Sequence, residues 1–173
     1  MSPRIPGGGF KRKLISLARD LARKPRDVEH AIVVFEDGWV SPIISQGLKY
    51  GTFIPLRNSI HGYAIAVLHT HPVPRTAPSI ADLNLLFSMS MFNTPVYLGT
   101  IYRGDDEVTL TLYIANRRIN PVEARAILSE SYVYEVLNIE GGFKEDLSDK
   151  QIYEQQILLQ KFGISIERYR FKL

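Results

Sequence analysis

The sequence predicts one α/β domain in which helices flank a mixed, mostly antiparallel sheet. Three observations lead there. The chain has 173 residues, 45% apolar and 23% charged, which suits one ordinary hydrophobic core and is short for two. Short runs rich in β-branched residues recur between turn signals. Between and after them lie stretches whose apolar residues return every three or four positions, the period of a half-buried helix.

Taken in order, residues 1–10 combine Pro3, Pro6 and Gly7-Gly8-Gly9 and read as a flexible tail. From Phe10 to Arg23 the residues Leu14, Leu17, Ala18 and Leu21 give helical spacing, with Pro25 ending the helix. Residues 30–35 form an apolar run closed by Glu36-Asp37-Gly38, a strand and tight turn, with residues 39–44 as the antiparallel neighbour. Further strands are expected at 52–56, 63–68, 96–102 and 108–115, the last two joined through Arg103-Gly104-Asp105-Asp106.

A second helix is expected over 80–91, from the spacing of Leu83, Leu86, Phe87 and Met91. Asn120-Pro121 opens a third, with Asn as N-cap and Pro at the first helical position, running to about 137. Gly141-Gly142 breaks the chain, residues 149–162 give a last helix and 164–171 a terminal strand. Residues 11–115 thus form a core, and 116–173 an extension that belongs to the same domain.

There is no cysteine, so a disulfide framework, a thiolate metal site and a cysteine nucleophile are excluded, and any metal must be held by His, Asp or Glu. The net charge is +3 and the pI about 9.1. Arg4, Lys11, Arg12, Lys13, Arg19, Arg23, Lys24 and Arg26 crowd the first 26 residues. They read first as a solvated helix face and tail, because no aromatic residues interleave with them as on a nucleic-acid stacking platform. No apolar run approaches the roughly 20 residues of a membrane span, and the basic N-terminus lacks the apolar segment of a secretory signal. A soluble cytoplasmic protein is the expectation.

The informative stretch is Leu68-His69-Thr70-His71-Pro72, followed by Pro78-Ser79-Ile80-Ala81-Asp82-Leu83. His69 and His71 stand two apart at the end of a strand, so extended geometry sends both imidazoles from one face and within reach of one ion. Ser79 is a natural N-cap, and Asp82 at the third helical position lies near the positive end of the helix dipole. Taken alone, Ser-x-x-Asp is a helix start and His-x-His a pair of ordinary histidines. Together they make a two-nitrogen, one-oxygen set, the pattern of a catalytic zinc with one coordination position kept open. His61 reads as an exposed turn residue, His30 faces away from Glu29, and Tyr132, Tyr134 and Phe143 read as core.

His69-x-His71, seven residues beginning with Pro72, then Ser79-x-x-Asp82, resembles the signature of the JAMM (MPN+) metalloproteases. The fold-level resemblance covers residues 11–115. It implies an MPN-type, cytidine-deaminase-like domain of a prokaryotic member, one Zn2+ per chain on His69, His71 and Asp82, and hydrolysis of an amide bond. Substrates implied are the C-terminal tails of ubiquitin-like or sulfur-carrier proteins, cut from a lysine or from a small amino acid; a homodimer is compatible. An upstream Glu completes the family's site: Glu29, just before the strand at 30–35, is favoured over Glu36, which ends it. The resemblance makes Glu29 the general base and Ser79 the donor to the oxyanion. The alternative is a metal-free MPN scaffold or a basic nucleic-acid-associated protein.

Overall fold

The computed structural model describes residues 7–45, 54–71, 78–130, 133 and 148–173. Within them the chain runs α1 (Gly7–Ala22), β1 (His30–Phe35), β2 (Ile44–Ser45), β3 (Arg57–Asn58), β4 (Gly62–Thr70), α2 (Ile80–Ser90), β5 (Val96–Arg103), β6 (Glu107–Ala115), α3 (Pro121–Ser129), α4 (Asp149–Gln160) and β7 (Ile164–Lys172). The sheet is seven-stranded, in the order β2-β1-β4-β5-β6-β7, with β3 pairing on β4. Every adjacent pair is antiparallel except β4 and β5, which run parallel because α2 carries the chain back across the sheet. The mixed, mostly antiparallel α/β architecture expected from the sequence is therefore present.

Two helices cover opposite faces of the sheet. Phe10, Leu14, Ala18 and Leu21 of α1, at helical spacing, are buried, and Phe10 meets the Tyr97 ring edge-on at 5.1 Å. Tyr97 pairs with Ala66, an odd number of residues from His69, so α1 lies on the face away from the His69 side chain. Asp82 of α2 reaches His69 and places α2 on the other face. Gly99, in β5 between Leu68 and Leu112, leaves no room for a side chain: a Cβ there would lie 2.2 Å from Leu68 Cδ2. Its lack of a side chain lets three leucines fill the face under α1.

Several boundaries differ from the sequence expectation. α1 begins at Gly7, inside the tail expected over 1–10; glycine backbone can adopt helical angles at an entropic cost, and the buried Phe10 anchors the first turn. The strand expected over 39–44 is reduced to a single bridge, Val34 with Val40, and the two-residue β2. Pro42 stands between them and has no N–H to donate to a ladder. In the described part of 52–56, residues 54–56 are not a strand; β3 follows at Arg57, and Leu56 accepts one bond from the Ala64 N–H.

α3 is capped by Asn120, whose side chain accepts from the Glu123 N–H, and has Pro121 at its start. It ends at Ser129, with Glu130 extended, short of the expected 137. Gly141-Gly142, Tyr132, Tyr134 and Phe143 lie outside the described residues, as do Pro72 and Pro74. Among the described residues no helix is long and apolar enough to cross a membrane.

Candidate metal centre

β4 ends at Thr70, and its carboxyl end lies beside that of its parallel partner β5, with Thr70 opposite Ile101. Crevices at the carboxyl ends of parallel strands are where open α/β sheets bind ligands. His69 is inside the strand and His71 one residue past it, and their rings meet at 4.7 Å and 74°. Both side chains are nearly closed to solvent, at 3% and 6% exposure. Two apolar turns of α2, with Leu83 and Leu86 buried, bring the first turn of that helix against the strand end.

Asp82 sits in that first turn as the third residue of a complete capping box. Ser79 Oγ accepts from the Asp82 N–H at 3.1 Å, and Asp82 Oδ2 accepts from the Ser79 N–H at 2.8 Å. The cap therefore engages one carboxylate oxygen. The other, Oδ1, stands 3.0 Å from His69 Nε2, and Oδ2 is 3.5 Å from His71 Nε2. Helix start and candidate ligand are one residue here, so the two interpretations of Ser-x-x-Asp are compatible.

Both ring nitrogens of His69 are buried without an aligned hydrogen bond, although Asp82 Oδ1 and Glu29 Oε1 approach them to 3.0 and 3.2 Å. These are charge contacts. Burial, the largest single influence on His69, pushes its pKa down; the carboxylates of Asp82 and Glu29 outweigh it and raise it to about 10. Burial likewise pushes Asp82 up, and the two imidazoles outweigh it, holding the carboxyl well below its usual range.

One atom from each of His69, His71 and Asp82 can be chosen so that all lie within 4.8 Å of one another. Zinc bonds of 2.0–2.2 Å in a tetrahedron put neighbouring ligand atoms about 3.3 Å apart, and the Asp82 carboxylate comes to 3.0 Å of His69 Nε2 through Oδ1 and to 3.5 Å of His71 Nε2 through Oδ2. An imidazole nitrogen buried beside a carboxylate but off its hydrogen-bond direction suits a cation between them. The three residues fit a metal ion; two imidazoles and a carboxylate with no thiolate are compatible with zinc among other divalent ions.

Glu29 lies where the strand register requires. Ala31 pairs with His69, so Glu29, two residues earlier, shares the face of both histidines and stands in register opposite His71. Its carboxylate is 16% exposed, against His69 Nδ1. Glu36 is engaged at the opposite end of β1, where Oε1 accepts from the Tyr63 N–H and Oε2 from Asn93 Nδ2. Of the two carboxylates weighed from sequence, only Glu29 is near the histidines.

The other histidines have structural partners. His30 Nε2 is bonded to the Pro25 carbonyl and Nδ1 to Ser45 Oγ. His61, expected to be exposed, stacks on Trp39 at 4.2 Å, with Nδ1 2.6 Å from Asp37 Oδ2. Thr70 carries no sequence signal for a role at the site; its Oγ1 accepts from the His30 N–H and ties β1 to β4. Arg103, expected in the turn after 96–102, is the last residue of β5. Comparisons of the chain with family models, with curated proteins and with solved structures return no match.

Proposed function

We propose that the protein is a zinc-dependent peptidase of JAMM (MPN+) type that hydrolyses the amide bond after the C-terminal tail of a ubiquitin-like or sulfur-carrier protein. The observation that carries this is the convergence of His69, His71 and Asp82 with Glu29 at one strand end, in a sequence pattern that resembles that family's signature. His69, His71 and Asp82 hold the ion. When bound, zinc supplies Lewis acidity, acidifying water and polarising a carbonyl.

The chain's own groups do the rest. The Glu29 carboxylate, on the face of both histidines, takes the proton from the attacking water and returns it to the leaving amine as the C–N bond breaks. Ser79 keeps its hydroxyl proton, because the cap uses only a lone pair of Oγ. That O–H is the donor to the oxyanion, a contact of a kind worth about 3–4 kcal/mol in other hydrolases. Asp82 is held by the helix cap and keeps Oδ1 turned to His69.

The test is a paired measurement of metal content and cleavage. Purified protein should carry about one zinc per chain and lose it in His69→Ala and His71→Ala. It should cleave a carrier-tail amide, and Glu29→Gln should keep the zinc while losing at least about a hundredfold in kcat. Zinc retained with no cleavage of any lysine or amino-acid conjugate would leave a metal-holding scaffold. Equal metal in wild type and the histidine variants would remove the proposal altogether.

A further inference from the structure

α4 covers the β6–β7 end of the sheet on the face that carries His69. Thr100 stands opposite both His69 and Thr111, Tyr113 shares that face two residues on, and its hydroxyl donates to Gln155 Oε1 of α4 at 3.2 Å. Ile152, Gln155, Leu158 and Leu159 are the buried side of the helix. The opposite side carries Asp149, Tyr153, Ile157 and Lys161, all exposed and each four residues from the next, so that they form one continuous ridge. Lys161 is the C-cap and keeps helical angles, φ −62° and ψ −25°, which carries the ridge unbroken to its last member.

Tyr153 is 63% exposed and Ile157 47%. Among the described residues they are the two large exposed apolar side chains that share one helix. An acid at the start of a helix and a base at its end suit the helix dipole, but the bulky apolar pair between them has no such duty. Asp149 Oδ1 lies 3.7 Å from Arg168 Nη1 and 3.8 Å from Arg170 Nη2. These are long contacts of a carboxylate that stays 91% exposed, weak against water, and they leave it open to a further cation.

The order along the ridge selects a second copy of the chain. Read from the other end it is Lys, Ile, Tyr, Asp, so each charge meets its opposite and the two apolar residues exchange places. A copy of α4 laid antiparallel, midpoint on midpoint, sets the partner's Lys161 at Asp149 and the partner's Ile157 at Tyr153, and the two-fold axis repeats both contacts. Ridges of this spacing lie alongside each other when the helix axes cross at about 50°, the commonest packing of helices in globular proteins. A parallel copy would set Asp149 against Asp149. We infer that the outer ridge of α4 is the contact surface of a symmetric homodimer of this chain. One helix against one helix stays under the roughly 800 Å² per partner of a standard interface, so the dimer is a weak one, with a Kd of about 10 μM to 1 mM.

The test is carbodiimide coupling of an equal mixture of isotope-labelled and unlabelled wild-type protein at millimolar concentration. This reagent joins a carboxylate only to an amine already in contact with it. Within one chain Asp149 and Lys161 are about 18 Å apart along the helix, so an Asp149–Lys161 amide forms only between chains. Mass spectrometry should find it with one labelled and one unlabelled peptide. Sedimentation equilibrium should show monomer and dimer in exchange, weakened about tenfold or more in Ile157→Gln, with the melting temperature of the dilute monomer unchanged. Lys161→Glu, which sets carboxylate against carboxylate, should weaken the dimer more at low salt than at high. A monomer at every concentration, a dimer indifferent to Ile157→Gln, or a dimer without the interchain Asp149–Lys161 amide would overturn the inference.

Discussion

Replacing Asp82 with Asn separates the two duties of this side chain. Asn retains a carbonyl oxygen that can accept from the Ser79 N–H, now bonded at 2.8 Å, but removes the charge that faces His69 at 3.0 Å. If zinc is supplied at a hundredfold over its Kd, binding adds about 2.7 kcal/mol to wild-type stability. For a domain of this size that raises Tm by about 5–11 °C. Losing a charged ligand should cost at least the hundredfold at the upper end for loss of an outer-shell partner. The same zinc concentration then adds only about 0.4 kcal/mol, and the shift shrinks to about 1 °C.

Asp82→Ala in chelator isolates the cap. Both variants lose the charge, but only Ala loses the acceptor, so Ala should melt lower than Asn by about 1 kcal/mol, or roughly 2–4 °C. Differential scanning fluorimetry of the three proteins, with zinc or with chelator, makes both comparisons. An equal zinc-induced shift in wild type and Asp82→Asn would refute the ligand role. Identical melting of Asn and Ala variants in chelator would refute the cap.

Gly99→Ala should destabilise the fold by about 1–3 kcal/mol through overpacking, because the new Cβ would lie 2.2 Å from Leu68 Cδ2 and 3.0 Å from Leu110 Cδ1. A urea midpoint unchanged from wild type would mean that the leucines under α1 give way freely. The pH dependence of stability should show the pair between α1 and β7. Burial pushes Glu167 up, and the Lys11 ammonium with the Tyr169 hydroxyl outweigh it, so its folded pKa lies below 4.5. A depressed carboxyl stabilises above its unfolded value and loses that contribution as pH falls through the folded one. Lys11→Met should therefore cost less than about 1 kcal/mol at pH 6, the pair being a third exposed, and the two proteins should converge in stability below pH 4.5. A difference that grows on acidification would contradict the assignment.

How much could be read beforehand depends on how local each signal is. His69 and His71 were legible because a strand alternates faces and two residues suffice to show it. Ser79 and Asp82 were legible as a helix start, and Asp82 as a candidate ligand only through its distance along the chain from His71. The choice of Glu29 over Glu36 follows from register, since Ala31 opposite His69 fixes which carboxylate shares the histidine face. β2 was misjudged because apolar content outweighed Pro42. The three glycines of α1 look like a linker until Phe10 is seen packed on Tyr97, 87 positions on. Lys24 and Arg26, expected on a solvated basic run, are exposed.

The box that joins Ser79 to Asp82 also turns the helix into an indicator. Anything that holds the Asp82 carboxylate in place tightens the first turn of α2, and by reciprocity a tighter turn favours whatever holds it. The Asp82 and Leu83 amides, bonded to Ser79 Oγ and the Ser79 carbonyl, should exchange with deuterium more slowly when the cluster between the histidines is filled. Occupancy could then be followed in the intact protein by mass spectrometry, without substrate and without a coloured ion.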